Sequence, residues 1–427
     1  MRLLAILATS VAALAFTAAP NAVTPPCAAD NAGLKLAAGF CATLFAESLP
    51  GPRHMVVAPN GDLIVALRGV RTSDRTTPGG VAILRDADGD GRAESRNKFG
   101  EFSATEVRLV GTALYTENGG AVLRYALPAD ASAPTGAPDT IVSGLPSDRS
   151  HTAKTFLIHG DNLFVNQGSA TNVCQDQPIP ERKSQEPCPE LESRAGIWRY
   201  SATKTGQTLA SGERFATGVR NAVAMAINPA NNDLYVMQHG RDVLATNWPK
   251  LFTNEKSAET PAEEMFRVSR GDDFGWPHCY YDPELQKKVL APEYGGDGKT
   301  VGLCATKKGN VGSFPGHWAP NGLHFYTGNA LPAKYKNGAF IVFHGSWNRA
   351  PLPLQGFKVV FQPMLQGRAA GPFEVFVDGF YSVENNKYTE LGGRPMGLTQ
   401  GRNGELYLSD DSRGRIWRIS YVGPATP

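Results

Sequence analysis

The 427-residue chain carries almost no excess of either charge: 42 Lys and Arg stand against 40 Asp and Glu, a formal net charge of +2. Without a dominant sign there is no electrostatic reason to expect nucleic acid or an acidic membrane surface as a partner. Long apolar runs are missing after residue 16. The one such run, Leu3 to Phe16, follows Met1-Arg2 and precedes Thr17-Ala18-Ala19. That order of basic, apolar and small-residue regions is the pattern of a secretory signal peptide, and the run is shorter than the about 20 residues a bilayer span needs. Residues 1–22 are therefore expected to be removed, with the mature chain starting between Pro20 and Thr24 and containing no membrane span. A secreted or periplasmic location follows. Also absent are a GxSxG elbow, a Ser-His-Asp order, HExxH, a P-loop and any CxxC, which argues against serine hydrolase, zincin, nucleotide, zinc and thioredoxin-like chemistry.

What the chain does have is punctuation. It holds 46 Gly and 31 Pro, well above average usage, with 41% hydrophobic residues left to fill a core. Such a composition favours many short strands over long helices. The six cysteines, Cys27, Cys41, Cys174, Cys188, Cys279 and Cys304, all lie beyond the signal segment. An even count in an oxidising compartment argues for three disulfides, with fifteen possible connectivities. Pairing nearest neighbours, Cys27 with Cys41, Cys174 with Cys188 and Cys279 with Cys304, closes three short polar loops and is the expected arrangement.

One phrase recurs six times: an apolar strand, a turn often built on Asn-Gly or Gly-Asp, and a second strand. Its clearest copies run from Arg53 to Ala66 and from Arg394 to Leu408, with others at Glu106 to Tyr115, His151 to Val165, Arg220 to Val236 and Trp318 to Phe343. Six such units over residues 23–427 predict a single all-β domain, a six-bladed β-propeller of four-stranded antiparallel blades. In that geometry the start of each innermost strand and the loop after each second strand rim one axial funnel. Arg53, His54, Glu106, His151, Arg220, Asn221, His317, Trp318 and Arg394 fall in the first set. The second set holds Arg68, Asn118, Asn166, Gln167, Gln238 to Asp242, His344 to Arg349, Asp410 and Asp411.

Arginine is prominent at these positions (Arg53, Arg68, Arg220, Arg349, Arg394), suiting a small molecule with several carboxylates or phosphates. A histidine beside arginines is pushed toward its neutral form, the form a general base requires, which singles out His151. Asp86-Ala87-Asp88-Gly89-Asp90-Gly91 has the acids and glycine that open an EF-hand loop, but position 12 is Asn97 where that loop has a bidentate Glu. The segment reads better as a polar hairpin tip, with a second calcium ion left open.

Eight phrases in order, Arg53-His54-Met55, His151-Thr152-Ala153-Lys154-Thr155, Gly218-Val219-Arg220-Asn221, His239-Gly240-Arg241-Asp242, Phe274-Gly275-Trp276-Pro277, His317-Trp318-Ala319-Pro320, His344-Gly345-Ser346-Trp347-Asn348-Arg349 and Gly393-Arg394-Pro395, resemble the sorbosone and pyranose dehydrogenases. These are a branch of the soluble pyrroloquinoline quinone (PQQ) sugar dehydrogenases. The resemblance implies PQQ held with Ca2+ in the funnel, and a sugar hemiacetal or aldehyde oxidised to its lactone or acid by hydride transfer. It implies His151 as general base, Arg220 at the reactive quinone oxygen with Asn221 beside it, and carbonyl ligands to calcium from Gly240 and Arg241. Arg349 and Arg394 would receive the cofactor's carboxylates, while Trp347, His317 and Trp318 would flank cofactor or sugar. His239 and Arg241 replace the Gln and Pro, and Ser150 the acid, expected in the glucose dehydrogenases of the superfamily, which argues against glucose as the substrate. The implied partners are a small sugar and an electron acceptor that is a quinone, a cytochrome or a dye. Two other readings stay open: a calcium-dependent propeller lactonase, using Asp410, Asp411, Asn118 and Glu106 as converging ligands, and a non-enzymatic sugar- or protein-binding propeller.

Overall fold

A computed structural model describes residues 27–73, 76–176, 179–384, 387–389 and 393–423; the expected signal segment lies outside them. The described residues form six blades. Blade 1 is built from strands Pro52–Val57, Leu63–Leu67, Gly80–Arg85 and Ser95–Phe99, each antiparallel to the next. Blade 2 runs from Val107 to Ser143, blade 3 from Phe156 to Thr217, blade 4 from Ala224 to Phe314 and blade 5 from Pro320 to Asp378. Blade 6 takes Pro395–Gln400, Leu406–Asp410 and Arg415–Tyr421 from the C-terminal end and Phe40–Ala46 from the N-terminal end. That N-terminal strand closes the ring as the outermost strand of blade 6, so both ends of the domain are tied into one sheet. The blade phrases and the propeller are as expected; the closing strand carried no signal in the repeats.

Both faces of an inner strand are buried, which is why these strands are continuously apolar. In Leu63–Leu67, Leu63, Val65 and Leu67 pack toward Tyr407 and Ile416 of blade 6, whereas Ile64 and Ala66 pack toward Val107 and Leu114 of blade 2. The three disulfides form with nearest-neighbour pairing, Cys27–Cys41, Cys174–Cys188 and Cys279–Cys304. No helix among the described residues is long and apolar enough to cross a membrane. Asp86 to Gly91 is a hairpin tip between two strands of blade 1, with the Gly89 and Gly91 N–H groups donating to Asp86; ligand oxygens of Asp86, Asp88, Asp90 and Glu94 lie within 4.8 Å of one another.

The loops joining second to third strands all emerge on the face where the innermost strands begin. They differ greatly in length. In blades 3, 4 and 5 they run over residues 168–195, 239–262 and 344–357, whereas in blades 2 and 6 they cover only 118–121 and 411–414. The long loops wall the cavity described next.

Candidate active site

His151, Arg220, Gly240, Asp242, His317 and Trp347 line one cavity of about 380 Å³ at the mouth of blades 3 to 5. All six are residues expected to carry function or to lie at the rim beside such residues, and blade phase brings them together.

His151 precedes the first strand of blade 3 with φ 53°, a left-handed conformation that a non-glycine residue adopts at a cost of about 1–3 kcal/mol. Its Cβ packs where Gly168 leaves room: a Cβ on Gly168 would stand 2.4 Å from it. His151 Nδ1 lies 2.8 Å from the Ser169 carbonyl oxygen. A carbonyl only accepts, so Nδ1 carries the hydrogen and Nε2 keeps its lone pair. Burial, and then the Arg220 guanidinium, lower the imidazole pKa to about 3. The side chain is therefore a neutral imidazole whose unprotonated Nε2 makes no hydrogen bond among the described residues.

Arg220 is held on the opposite side. Its Nη2 donates to Asp242 Oδ2 at 2.8 Å and to Asn172 Oδ1 at 3.1 Å. Asn172 in turn brackets the Asp242 main chain, receiving its N–H at 2.8 Å and donating to its carbonyl at 2.9 Å. Asp242 also accepts from Asn348 Nδ2 at 2.5 Å and faces His317 Nδ1 at 3.5 Å. Burial opposes its ionisation, but Arg220, His317 and Asn348 overcome this and hold the carboxyl well below the usual carboxylate range. His317 Nε2 faces the Ser257 carbonyl at 2.9 Å; burial works against its cationic form, yet Asp242 raises its pKa. His239, whose Nε2 faces the Pro320 carbonyl at 3.1 Å, is lowered by burial to about 4 and is neutral. Glu263 accepts from the Gly240 and Ala319 N–H groups, and burial raises it to about 7. The cavity thus combines two neutral imidazoles with a fixed guanidinium and carboxylate.

Five expected residues stand elsewhere or are otherwise engaged. Arg349, expected to meet a cofactor carboxylate, is fully buried; its guanidinium pairs with Glu259 and donates to the carbonyls of Ala258, Gly316 and Pro353, which leaves no face for a ligand. Trp318, expected against the sugar, is buried edge-on against Phe343 and Phe373 in the core between blades 4 and 5. The Arg241 side chain forms a buried bidentate pair with Glu293, so only its main chain is available to a cation. Asn221 accepts from Asn166 Nδ2 at 3.1 Å behind the cavity wall. Arg394 donates to the carbonyls of His344 and Gly345 beside the cavity. The acids of the lactonase reading do not converge. Glu106 binds His54, Asp411 binds Arg53 and His344, Asp410 receives the Arg394 and Ser412 N–H groups, and Asn118 caps its own turn.

Asn172, Glu263 and Gly168 were not anticipated. Asn172 and Gly168 sit in a long loop without a motif; the acid pair Glu263-Glu264 opening a largely apolar strand is a signal that could have found Glu263.

A family model described as TrAA12-like matches residues 34–422. A protein of Borreliella burgdorferi with no characterised function is 29% identical over 288 residues, which are 65% of this chain and 63% of that one, so the chain spans less than two thirds of its length. The pyrroloquinoline quinone-dependent sugar dehydrogenase of Hypocrea jecorina is 23% identical over 398 residues, 88% of this chain and 86% of the relative. Among solved structures, the holo form of the pyranose dehydrogenase PQQ domain from Coprinopsis cinerea superposes with a TM-score of 0.70 at 21% identity, covering 94% of this chain and 99% of that one. This last likeness speaks for the shared propeller.

Proposed function

We propose, since the chain belongs to the TrAA12-like family, that it is an exported oxidoreductase that dehydrogenates a sugar hemiacetal or aldehyde with PQQ and Ca2+. The relatives named for PQQ-dependent sugar oxidation support the class. The observation that carries the reading is the neutral His151 imidazole, its Nε2 unengaged, in one cavity with Arg220.

The residues present fit the cofactor. A planar polyacid needs a cation and an aromatic or flat wall; Arg220 lines the cavity and Trp347 stands at its mouth. Main-chain carbonyls of Gly240 and Arg241 would hold the calcium ion. When bound, PQQ supplies the two-electron acceptor that takes hydride from the sugar carbon. His151 Nε2 would take the anomeric hydroxyl proton as the carbon–hydrogen bond breaks, a contribution of about 10²- to 10⁴-fold. Arg220, fixed by Asp242 and Asn172, would stabilise negative charge that develops opposite the base without having to reorganise. The fixed Nδ1–H keeps the proton-accepting nitrogen facing the cavity. Export rests on the Met1 to Ala19 segment and the three disulfides.

Purified apoprotein given PQQ and CaCl2 should bind the cofactor and show the absorbance change of its reduction when an aldose is added, and a chelator should abolish it. No PQQ binding, or bound PQQ that no member of an aldose panel reduces, would overturn the reading.

A further inference from the structure

A second concavity of about 420 Å³ adjoins the first and shares Ser150, Asn172, Asp242 and Trp347 with it. Trp347 therefore stands between the two. Its ring is 67% exposed, although its neighbours in the chain are immobilised: Ser346 is buried and exchanges hydrogen bonds with Gln355, Asn348 donates to Asp242, and Arg349 is locked in place. A large aromatic ring held in solvent by a rigid loop contributes nothing to the core, and offers a flat apolar face to a ligand.

The opposite wall of the second concavity is the blade 3 excursion, and it too is built in advance. The Cys174–Cys188 disulfide closes it, Glu190 accepts from the Ala170 and Thr171 N–H groups and from the Thr171 hydroxyl, and Ser184 donates to the Val173 carbonyl. Along this wall Gln175 donates its amide to the Arg182 carbonyl, while its Oε1 is buried with no partner among the described residues. A buried acceptor left unmade costs about 1–3 kcal/mol, and a ligand hydroxyl would satisfy it. Arg149, half exposed, adds a donor at the rim.

Apolar face on one side and hydrogen-bonding groups on the other is the chemistry that recognises a pyranose ring. Binding cavities for small molecules span about 300–1,000 Å³. The first, at the small end of that range, has to hold both the tricyclic quinone and the reacting ring, so the next ring of an extended substrate would find its room in the second. Resting on the function proposed above, we infer that the second concavity is a subsite for the next sugar of a glycosidically extended substrate, with Trp347 as its stacking platform and Gln175 as its hydroxyl acceptor.

The test uses holoenzyme and four pairs sharing a reducing-end ring: glucose with cellobiose, xylose with xylobiose, mannose with mannobiose and galactose with galactobiose. For the pair the enzyme accepts best, kcat/KM for the disaccharide should exceed that of its monosaccharide by about tenfold, equivalent to about 1.4 kcal/mol. That ratio should fall toward one in Gln175→Leu and in Arg149→Ala, whose exposed position spares the fold. Independently of turnover, the non-oxidisable methyl glycoside of that disaccharide should quench intrinsic fluorescence saturably, and the quench should be lost in Trp347→Ala. Wild-type ratios near one for every pair, or a ratio that both variants leave intact, would overturn the subsite, as would variants that alter the rate with the electron acceptor alone. Failure to bind PQQ would instead count against the function on which the subsite rests.

Discussion

The two halves of the funnel face begin from the same blade phrase and end in opposite states. On the side of blades 6, 1 and 2, two of the three second-to-third loops are short, and the charged side chains at the rim pair with one another. Arg53 meets Asp411 at 2.7 Å, His344 meets the same carboxylate at 2.8 Å, and His54 bridges Glu106 and the Asn321 carbonyl. On the side of blades 3, 4 and 5, long excursions lift the rim, and His151 Nε2 and the Trp347 ring are left without partners over a cavity. Position in the blade decides which residues reach the funnel; the loops decide which of them remain available for a ligand.

The sharpest way to break this contrast is to make one change on each side. His151→Ala should lower turnover by about 10²- to 10⁴-fold while PQQ titration finds the cofactor still bound. His54→Ala, on the satisfied side, should leave turnover within a few-fold and lower stability by about 1–3 kcal/mol, because Glu106 loses a buried partner. A rate collapse in His54→Ala would erase the distinction.

Arg349→Met comes next. Since the guanidinium is wholly engaged, its removal leaves Glu259 and three carbonyls unpaired, and should cost about 3 kcal/mol in denaturant unfolding. PQQ affinity per folded molecule should be unchanged. Weakened cofactor binding without destabilisation would return Arg349 to the site.

Gly168→Ala tests the seat of the base. With its Cβ forced to within 2.4 Å of that of His151, overpacking should cost about 1–3 kcal/mol and reduce turnover by displacing the imidazole. Unchanged kinetics would show that the position of His151 is not critical.

The smallest effect is on pH-dependent stability. His151 and His239 have folded pKa values of about 3 and about 4, below the ordinary value, so the stability they confer is fully present above about pH 6.5 and is lost as pH falls. Glu263 and Glu117 are raised by burial to about 7, so their contribution is full below the ordinary carboxyl value and is lost as pH rises toward 7. Between pH 5 and 6.5 the pairs oppose each other, and the urea midpoint should change little. In His151→Gln/His239→Gln the midpoint should rise as pH falls across that window; an unchanged profile would mean the histidines do not titrate as described.

The contrast also explains what was readable in the sequence. Blade phase follows from short apolar strands and Asn-Gly turns, which are local, so the propeller, its rim residues and the loop-closing disulfides could all be anticipated. Partnership is not local. Glu259, which claims Arg349, lies 90 residues away, and Asn172, which fixes Arg220 and Asp242, lies in a loop with no motif. The phrase His344 to Arg349 places a tryptophan and an arginine at the rim together, yet only folding turns Trp347 outward and Arg349 into the core.

The central claim is that His151 is a neutral base with its free nitrogen facing the cavity, and ¹⁵N NMR of the imidazole reads this without any turnover. The expected result is a hydrogen on Nδ1, a bare Nε2, and no titration of this ring on acidification from pH 8 to 5. A ring protonated at Nε2 alone, or one that titrates near 6.5, would contradict it.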